Sequence, residues 1–147
     1  RRRTPDPSDR RRRLRHERIP RDRSAVTSTL GWLHGFGARV LLAYAVALAL
    51  WGTYRYFRNQ ELSGGFRASF LIMAGLTAAQ GLLGLATFLL GARPVELLHV
   101  VYGIFAVIFL PGAYLYAQGG SRLREAVILA GAAWIVSIAY LRGIATG

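Results

Sequence analysis

Residues 40–52 read VLLAYAVALALWG, a stretch without a single charged or amide side chain. It is the densest part of one of four apolar segments, which run over about 30–57, 66–91, 95–117 and 126–144. A helix needs roughly 20 residues to cross a hydrocarbon core of about 30 Å, and each segment is long enough. Backbone groups in lipid must bond within their own segment, so apolar runs of this length form helices. The sequence therefore predicts an all-α integral membrane protein.

The connections between the four segments are short, with the sequences RNQELSGG, GARP and QGGSRLRE. Short connections make neighbouring helices run antiparallel, which predicts an up-down-up-down four-helix bundle over residues 29–147. The absence of cysteine excludes disulfides, thiolate metal sites, iron–sulfur clusters and covalent c-type haem attachment. Any binding site for a metal or cofactor must therefore use residues other than cysteine.

Residues 1–28 form a basic tail of different character. Its first 24 residues hold eleven arginines against four carboxylates, with almost no apolar side chains. Such a segment cannot bury a core, so we expect it to be disordered alone or bound to a partner. The expected partners are other subunits of a membrane complex, or anionic lipid, which basic juxtamembrane segments attract. Nucleic acid is not expected as a partner, because nothing in the tail except its positive charge would favour it.

Arginine placement predicts the orientation. The tail, Arg93 and Arg142 lie on one side of the bundle, and five other arginines lie on the opposite side: Arg55, Arg58, Arg67, Arg122 and Arg124. Arginine-rich segments stay in the cytoplasm, so both termini are predicted to face the cytoplasm of a bacterium across its plasma membrane.

His34 and His99, hereafter the histidine pair, are the candidate metal ligands. Each lies a few residues into its segment, in the first and the third helix, and these run in the same direction in the predicted topology. The first and third helices of a four-helix bundle are diagonal neighbours, so two inward imidazoles would face each other at similar depth. This arrangement suits the axial ligands of one haem b. The remaining histidine, His16, is in the tail, so only one haem is expected.

Four further residues are candidates for binding this cofactor. Gly103 lies one turn beyond His99 and would leave room for a flat ring, and Thr87 is placed to hydrogen-bond an imidazole. Arg39 or Arg93 would pair with the propionates. Each has a simpler interpretation: a lone histidine near a helix end is commonly an interfacial hydrogen-bonding residue, small residues serve close helix packing, and a helical threonine bonds its own backbone. For Gln80, near the middle of its helix, we expect a hydrogen bond between helices.

The stretches LHGFGARVLLAYAVALALWGTYRYFR, AAQGLLGLATFLLG and VELLHVVYGIFAVIF resemble one half of the heme A synthase family. The resemblance covers about residues 31–110 and implies a four-helix bundle in which histidines of two helices ligate haem. His34, Gln80 and His99 stand in the matching order and spacing. In the catalytic half of that family, a glutamate stands three residues before the first histidine and an arginine follows it. Here these positions hold Gly31 and Gly35, which argues against independent catalysis.

Three functions stay open at this point. The leading hypothesis is a small b-type haem protein that transfers electrons within or beside a respiratory or photosynthetic complex. The second is a cofactor-free accessory or assembly subunit of a membrane complex. The third is a half-length enzyme similar to heme A synthase.

Overall fold

The computed structural model describes the backbone of residues 7–147 and the side chains of residues 25–147. This part of the chain forms four helices: α1 (Pro7–Phe57), α2 (Gly64–Leu89), α3 (Leu97–Ala117) and α4 (Arg122–Thr146). All four are long and apolar enough to cross a membrane, α1 through its part Ala25–Phe57. The all-helical architecture with four apolar helices is thus confirmed. The predicted disorder of the tail, residues 1–28, is not confirmed, because α1 begins within it at Pro7.

Serine caps explain why two helices begin earlier than their apolar runs. The Ser63 side chain accepts a hydrogen bond from the Phe66 amide at 3.2 Å, and the Ser121 side chain accepts one from the Arg124 amide at 3.3 Å. A serine at this position satisfies an amide that has no partner within the helix. The polar first turn of α4 therefore precedes the apolar segment predicted from residue 126. After α2, Gly91 adopts a φ of +101°, a left-handed conformation that favours glycine.

The helices pack so that α1 and α3 each contact both α2 and α4. The Tyr44 hydroxyl of α1 donates to the Ser69 carbonyl of α2 at 3.0 Å. Near the other end of the bundle, the backbone amide of Glu96 donates to the Thr146 carbonyl at 3.2 Å, which links the start of α3 to the end of α4. The helices α1 and α3 consequently lie across the bundle from each other.

The buried apolar core occupies the end of the bundle near the α1–α2 and α3–α4 connections. The largest fully buried side chains there are Phe66, Phe70, Leu48, Met73, Leu110, Leu129 and Val136. At the same end, the Arg67 guanidinium forms two hydrogen bonds of 2.6 and 2.7 Å with the Glu125 carboxylate. This pair ties α2 to α4 across the bundle. The opposite end, which carries the histidine pair, buries few large apolar side chains.

A close approach of two backbones joins α1 to α4. A Cβ added at Gly52 would lie 2.8 Å from the Ala130 Cβ and 3.3 Å from the Ala130 Cα. Neither neighbour can move without moving α4, so only glycine fits at this crossing. Small residues at a crossing let membrane helices approach closely and gain van der Waals contact.

Replacing Gly52 with valine should force α1 and α4 apart and lower the free energy of unfolding by about 1–3 kcal/mol, the usual cost of overpacking a core. Reversible unfolding in detergent, followed by circular dichroism, measures this change. Gly131→Val is the matched control, because a Cβ at Gly131 meets no atom within 4 Å. Equal destabilisation by the two variants would contradict the close crossing.

Candidate functional site

The histidine pair meets inside the bundle. The two half-buried imidazoles come from α1 and α3, and their ring centroids are 5.8 Å apart with an angle of 65° between the ring planes. Two imidazoles bound on opposite sides of one metal, with metal–nitrogen bonds of about 2.0 Å, have ring centroids about 6 Å apart. The observed spacing is compatible with two ligands of a single metal ion, and equally with a direct edge-to-face contact of the two rings.

A backbone carbonyl fixes the orientation of His99. Its Nδ1 lies 2.8 Å from the carbonyl oxygen of Gly143 in α4. A carbonyl only accepts, so Nδ1 carries the proton and donates it, which leaves Nε2 with a lone pair. A ligating histidine commonly makes this kind of bond through its other ring nitrogen. Sequence reasoning missed Gly143, because a backbone acceptor leaves no signature in the side chains.

His34 is held by Gln80 of α2. The Gln80 amide nitrogen lies 3.1 Å from His34 Nδ1 and also donates to the His34 carbonyl. The hydrogen bond between helices expected for Gln80 is thus confirmed. A Cβ at Gly37 would lie 2.5 Å from Gln80 Oε1, so the glycine makes room for this side chain.

The orientation of Gln80 determines which nitrogen of His34 carries a proton. An amide nitrogen donates, so Nδ1 accepts and the proton resides on Nε2. For His34 to ligate through Nε2, Nδ1 must carry the proton instead. The Gln80 amide would then have to turn and present its oxygen to Nδ1, giving up its bond to the backbone. His99 is oriented for ligation as it stands, whereas His34 needs this rearrangement.

Glycines lie directly against both imidazoles. A Cβ at Gly84 would be 2.8 Å from His34 Cε1, and one at Gly147 would be 2.7 Å from His99 Cε1. Gly147 is a second residue that sequence reasoning missed. Thr87 donates its hydroxyl proton to the Gly84 carbonyl at 2.7 Å. It bonds its own helix, and its hydroxyl does not reach an imidazole.

The seam between α2 and α3 is open beside the histidine pair. One side of α3 faces α2: Tyr114 stacks on Phe70 with ring centroids 6.3 Å apart, and Val107 lies 3.1 Å from the Cβ position of Gly81. Gly103 is one turn before Val107 and points to the same side, since residues four apart share a helix face. Yet Gly103 is exposed, and a Cβ there would meet no atom within 4 Å. A side chain at Gly103 would therefore enter open space, and the role of this glycine in binding a cofactor stays a prediction.

A polar contact separates the histidine pair from the apolar core. The Thr77 hydroxyl donates to the Met73 carbonyl at 2.7 Å, so the Tyr140 hydroxyl donates to Thr77, joining α4 to α2. Thr77 is seven residues from Gly84 along α2, which corresponds to about 10 Å of helix. The contact between Thr77 and Tyr140 therefore lies between the apolar core and the histidine pair, which is near the end of the bundle.

The structure does not bring Arg39 to the histidine pair. Arg39 follows His34 by five residues, which turns it about 140° around the helix. Its side chain is exposed and donates to the Gly35 carbonyl of α1 at 2.9 Å. Arg93, in the α2–α3 connection, lies with its guanidinium carbon 4.5 Å from the Phe88 ring centroid, at the same bundle end as the imidazoles.

The described side chains do not give a bare metal ion a full set of protein ligands. Within residues 25–147, no group of three or more His, Cys, Asp or Glu side chains could hold a metal ion. A protein-bound zinc ion needs three or four such ligands. A haem brings four ring nitrogens of its own and asks the protein for one or two axial ligands. The number of imidazoles, two, is compatible with that requirement.

No protein family, no curated protein and no solved structure matches this chain. The resemblance to one half of heme A synthase therefore stays a prediction, carried by the residues alone.

The bond to Gly143 predicts one tautomer of His99. In full-length protein labelled with ¹⁵N-histidine and reconstituted without added haem, His99 Nδ1 should give the shift of a protonated nitrogen and Nε2 that of an unprotonated one. Solid-state NMR measures both, and comparison with a His99→Gln sample assigns the signals. A proton on Nε2 of His99 would contradict the hydrogen bond.

Proposed function

We propose that this chain is a small b-type haem protein that transfers electrons within or beside a respiratory or photosynthetic complex. One haem b would lie between His34 and His99. The observation that carries the proposal is the distance of 5.8 Å between two imidazoles supplied by helices on opposite sides of the bundle. When bound, the haem supplies reversible one-electron oxidation and reduction of its iron.

The residues of the chain would orient this group and limit its chemistry. The Gly143 carbonyl holds the His99 ring with Nε2 turned away from its hydrogen bond, so that His99 would hold the haem through Nε2. His34 would be the second residue to hold it once the Gln80 amide had turned, and two imidazole ligands would leave dioxygen no free site on the iron. This supports electron transfer over oxygen chemistry, and it supports a protein without independent catalytic activity.

The space around the histidine pair supports the same assignment. The gap at Gly103 gives a flat ring room toward the α2–α3 seam, and the contact between Tyr140 and Thr77 would bound its apolar edge. The propionates would then point to the nearer membrane surface, where the guanidinium of Arg93 is available to pair with them. Arg39 is less suited to that role, because its exposed side chain bonds the Gly35 carbonyl of its own helix.

The same proposal includes a topology and a location. Three contacts support an up-down-up-down bundle. Two join α2 to α1, one through Gln80 and His34 and the other through Ser69 and Tyr44, and the third joins the start of α3 to the end of α4. The proposed location is the plasma membrane of a bacterium, and the arginine counts support an orientation with both termini in the cytoplasm. The basic tail and the outer helix faces would contact the other subunits of the complex.

One observation favours a second function, that of a cofactor-free accessory or assembly subunit. In its present orientation, Gln80 satisfies the Nδ1 nitrogen of His34 and places the proton on Nε2, where it prevents ligation. A histidine with a purely structural role would need only this hydrogen bond from Gln80. The enzyme similar to heme A synthase has no comparable support, because glycines stand at positions 31 and 35.

Removing either imidazole should remove the haem. The reduced, purified full-length protein should show the α band of a b-type cytochrome, and His34→Ala and His99→Ala should each lower bound haem at least about tenfold. A pyridine haemochrome assay gives the haem content, and His16→Ala is the matched control for loss of one histidine. Haem-free wild-type protein from native membranes, or haem retained in both variants, would refute the proposal in favour of the accessory subunit.

Filling the gap at Gly103 should exclude the macrocycle while sparing the fold. Gly103→Trp should lower haem content several-fold, because its indole would occupy the space beside the imidazoles. Gly112→Trp is the matched control: Gly112 lies on the same helix, also exposed, and a Cβ there likewise meets no atom within 4 Å. Circular dichroism checks that both variants stay helical. Full haem content in Gly103→Trp would place the macrocycle elsewhere.

A further inference from the structure

Arg39 is a cation on the outer face of a membrane helix. The inward positions of α1 include His34 and the buried Leu41 and Ala45, and Arg39 points to the opposite side. Its side chain is exposed, and its described hydrogen bond goes to the Gly35 carbonyl of its own helix. The guanidinium therefore lies against α1 and faces the surroundings of the bundle.

If the start of α3 marks the membrane surface, this cation lies below that surface. The contact between the imidazoles sets α1 and α3 at a common level, with His99 two residues after the start of α3. Arg39 is five residues further along α1 than His34, so its Cα lies about 10 Å below the start of α3. A charged side chain at such a depth is costly unless it is paired or reaches the interface.

The chain offers Arg39 no carboxylate within its described side chains. These include three carboxylates, Glu61, Glu96 and Glu125. The first and the last pair with Arg122 and Arg67 at the far end of the bundle. Glu96 precedes α3, which lies across the bundle from α1. The counter-charge for Arg39 must come from outside this part of the chain.

The direction of the side chain indicates where that counter-charge lies. Helical side chains point toward the helix N-terminus, and the bond to Gly35 shows that Arg39 does so, toward the surface nearer the histidine pair. On the same face, Trp32 and Phe36 are 67% and 51% exposed and stack with centroids 5.4 Å apart. Exposed aromatic rings at this level are typical of the headgroup region.

We propose that Arg39 binds the phosphate of an anionic phospholipid whose glycerol and upper acyl chain lie against Trp32 and Phe36. The phosphate oxygens accept from the guanidinium in a charge-assisted bond, which a partner protein could match only with a carboxylate buried in the same leaflet. The site is independent of the haem. It assigns Arg39 to lipid and leaves Arg93 as the candidate for the propionates.

The experiment uses the full chain in nanodiscs of phosphatidylcholine with a graded fraction of phosphatidylglycerol, followed by native mass spectrometry. The wild type should retain one phosphatidylglycerol after the other lipids have been stripped. Arg39→Gln should lose it, with an affinity about five- to tenfold lower, and Arg39→Lys should recover part of the binding. An excess of inorganic phosphate should not displace the lipid, because phosphate alone lacks the acyl contact with the aromatic rings.

Arg142→Gln is the matched control, since Arg142 is another exposed arginine near the same end of the bundle. Its binding of phosphatidylglycerol should equal that of the wild type. An equal loss in both glutamine variants would reduce the effect to general charge attraction and overturn the site. Unchanged lipid binding by Arg39→Gln, with loss of a co-purifying subunit from native membranes, would overturn it in favour of a partner carboxylate. Circular dichroism shows whether each variant retains its helices.

Discussion

Two imidazoles inside a membrane bundle must each find a partner, because polar groups in a medium of low polarity cost free energy when they are unpaired. Here the partners come from the two helices that lie between α1 and α3. Gln80 of α2 bonds His34, and the Gly143 carbonyl of α4 bonds His99. The histidine pair therefore holds all four helices in register at one end of the molecule. Its spacing and orientation follow from these two bonds.

The two ends of the bundle are built differently. One end has the large buried side chains and the ion pair between Arg67 and Glu125. The other end has glycines against imidazoles, an open seam at Gly103 and few buried apolar side chains. Large buried side chains thus hold the helices together at the first end, and hydrogen bonds to the imidazoles link them at the second.

Much of the fold could be predicted from the sequence, because length and apolar character alone decide that a segment crosses a membrane. The polar first turns of α2 and α4 were missed, since serine caps extend a helix beyond its apolar run. The meeting of His34 with His99 follows from helix direction and depth. The partners at Gly143 and Gly147 could not be predicted, because a carbonyl or an absent Cβ has no side-chain signal. The role expected for Arg39 takes no account of the face of α1 on which the residue lies.

The proposal requires His34 and His99 to bind the same iron. Electron paramagnetic resonance of the oxidised full-length protein, purified from native membranes, reports both ligands of a ferric haem in one signal. We expect a low-spin ferric signal of strong anisotropy, because the planes of the two imidazoles are far from parallel. A high-spin ferric signal, or no haem signal at all in protein that retains its helices, would show that the two imidazoles do not share an iron.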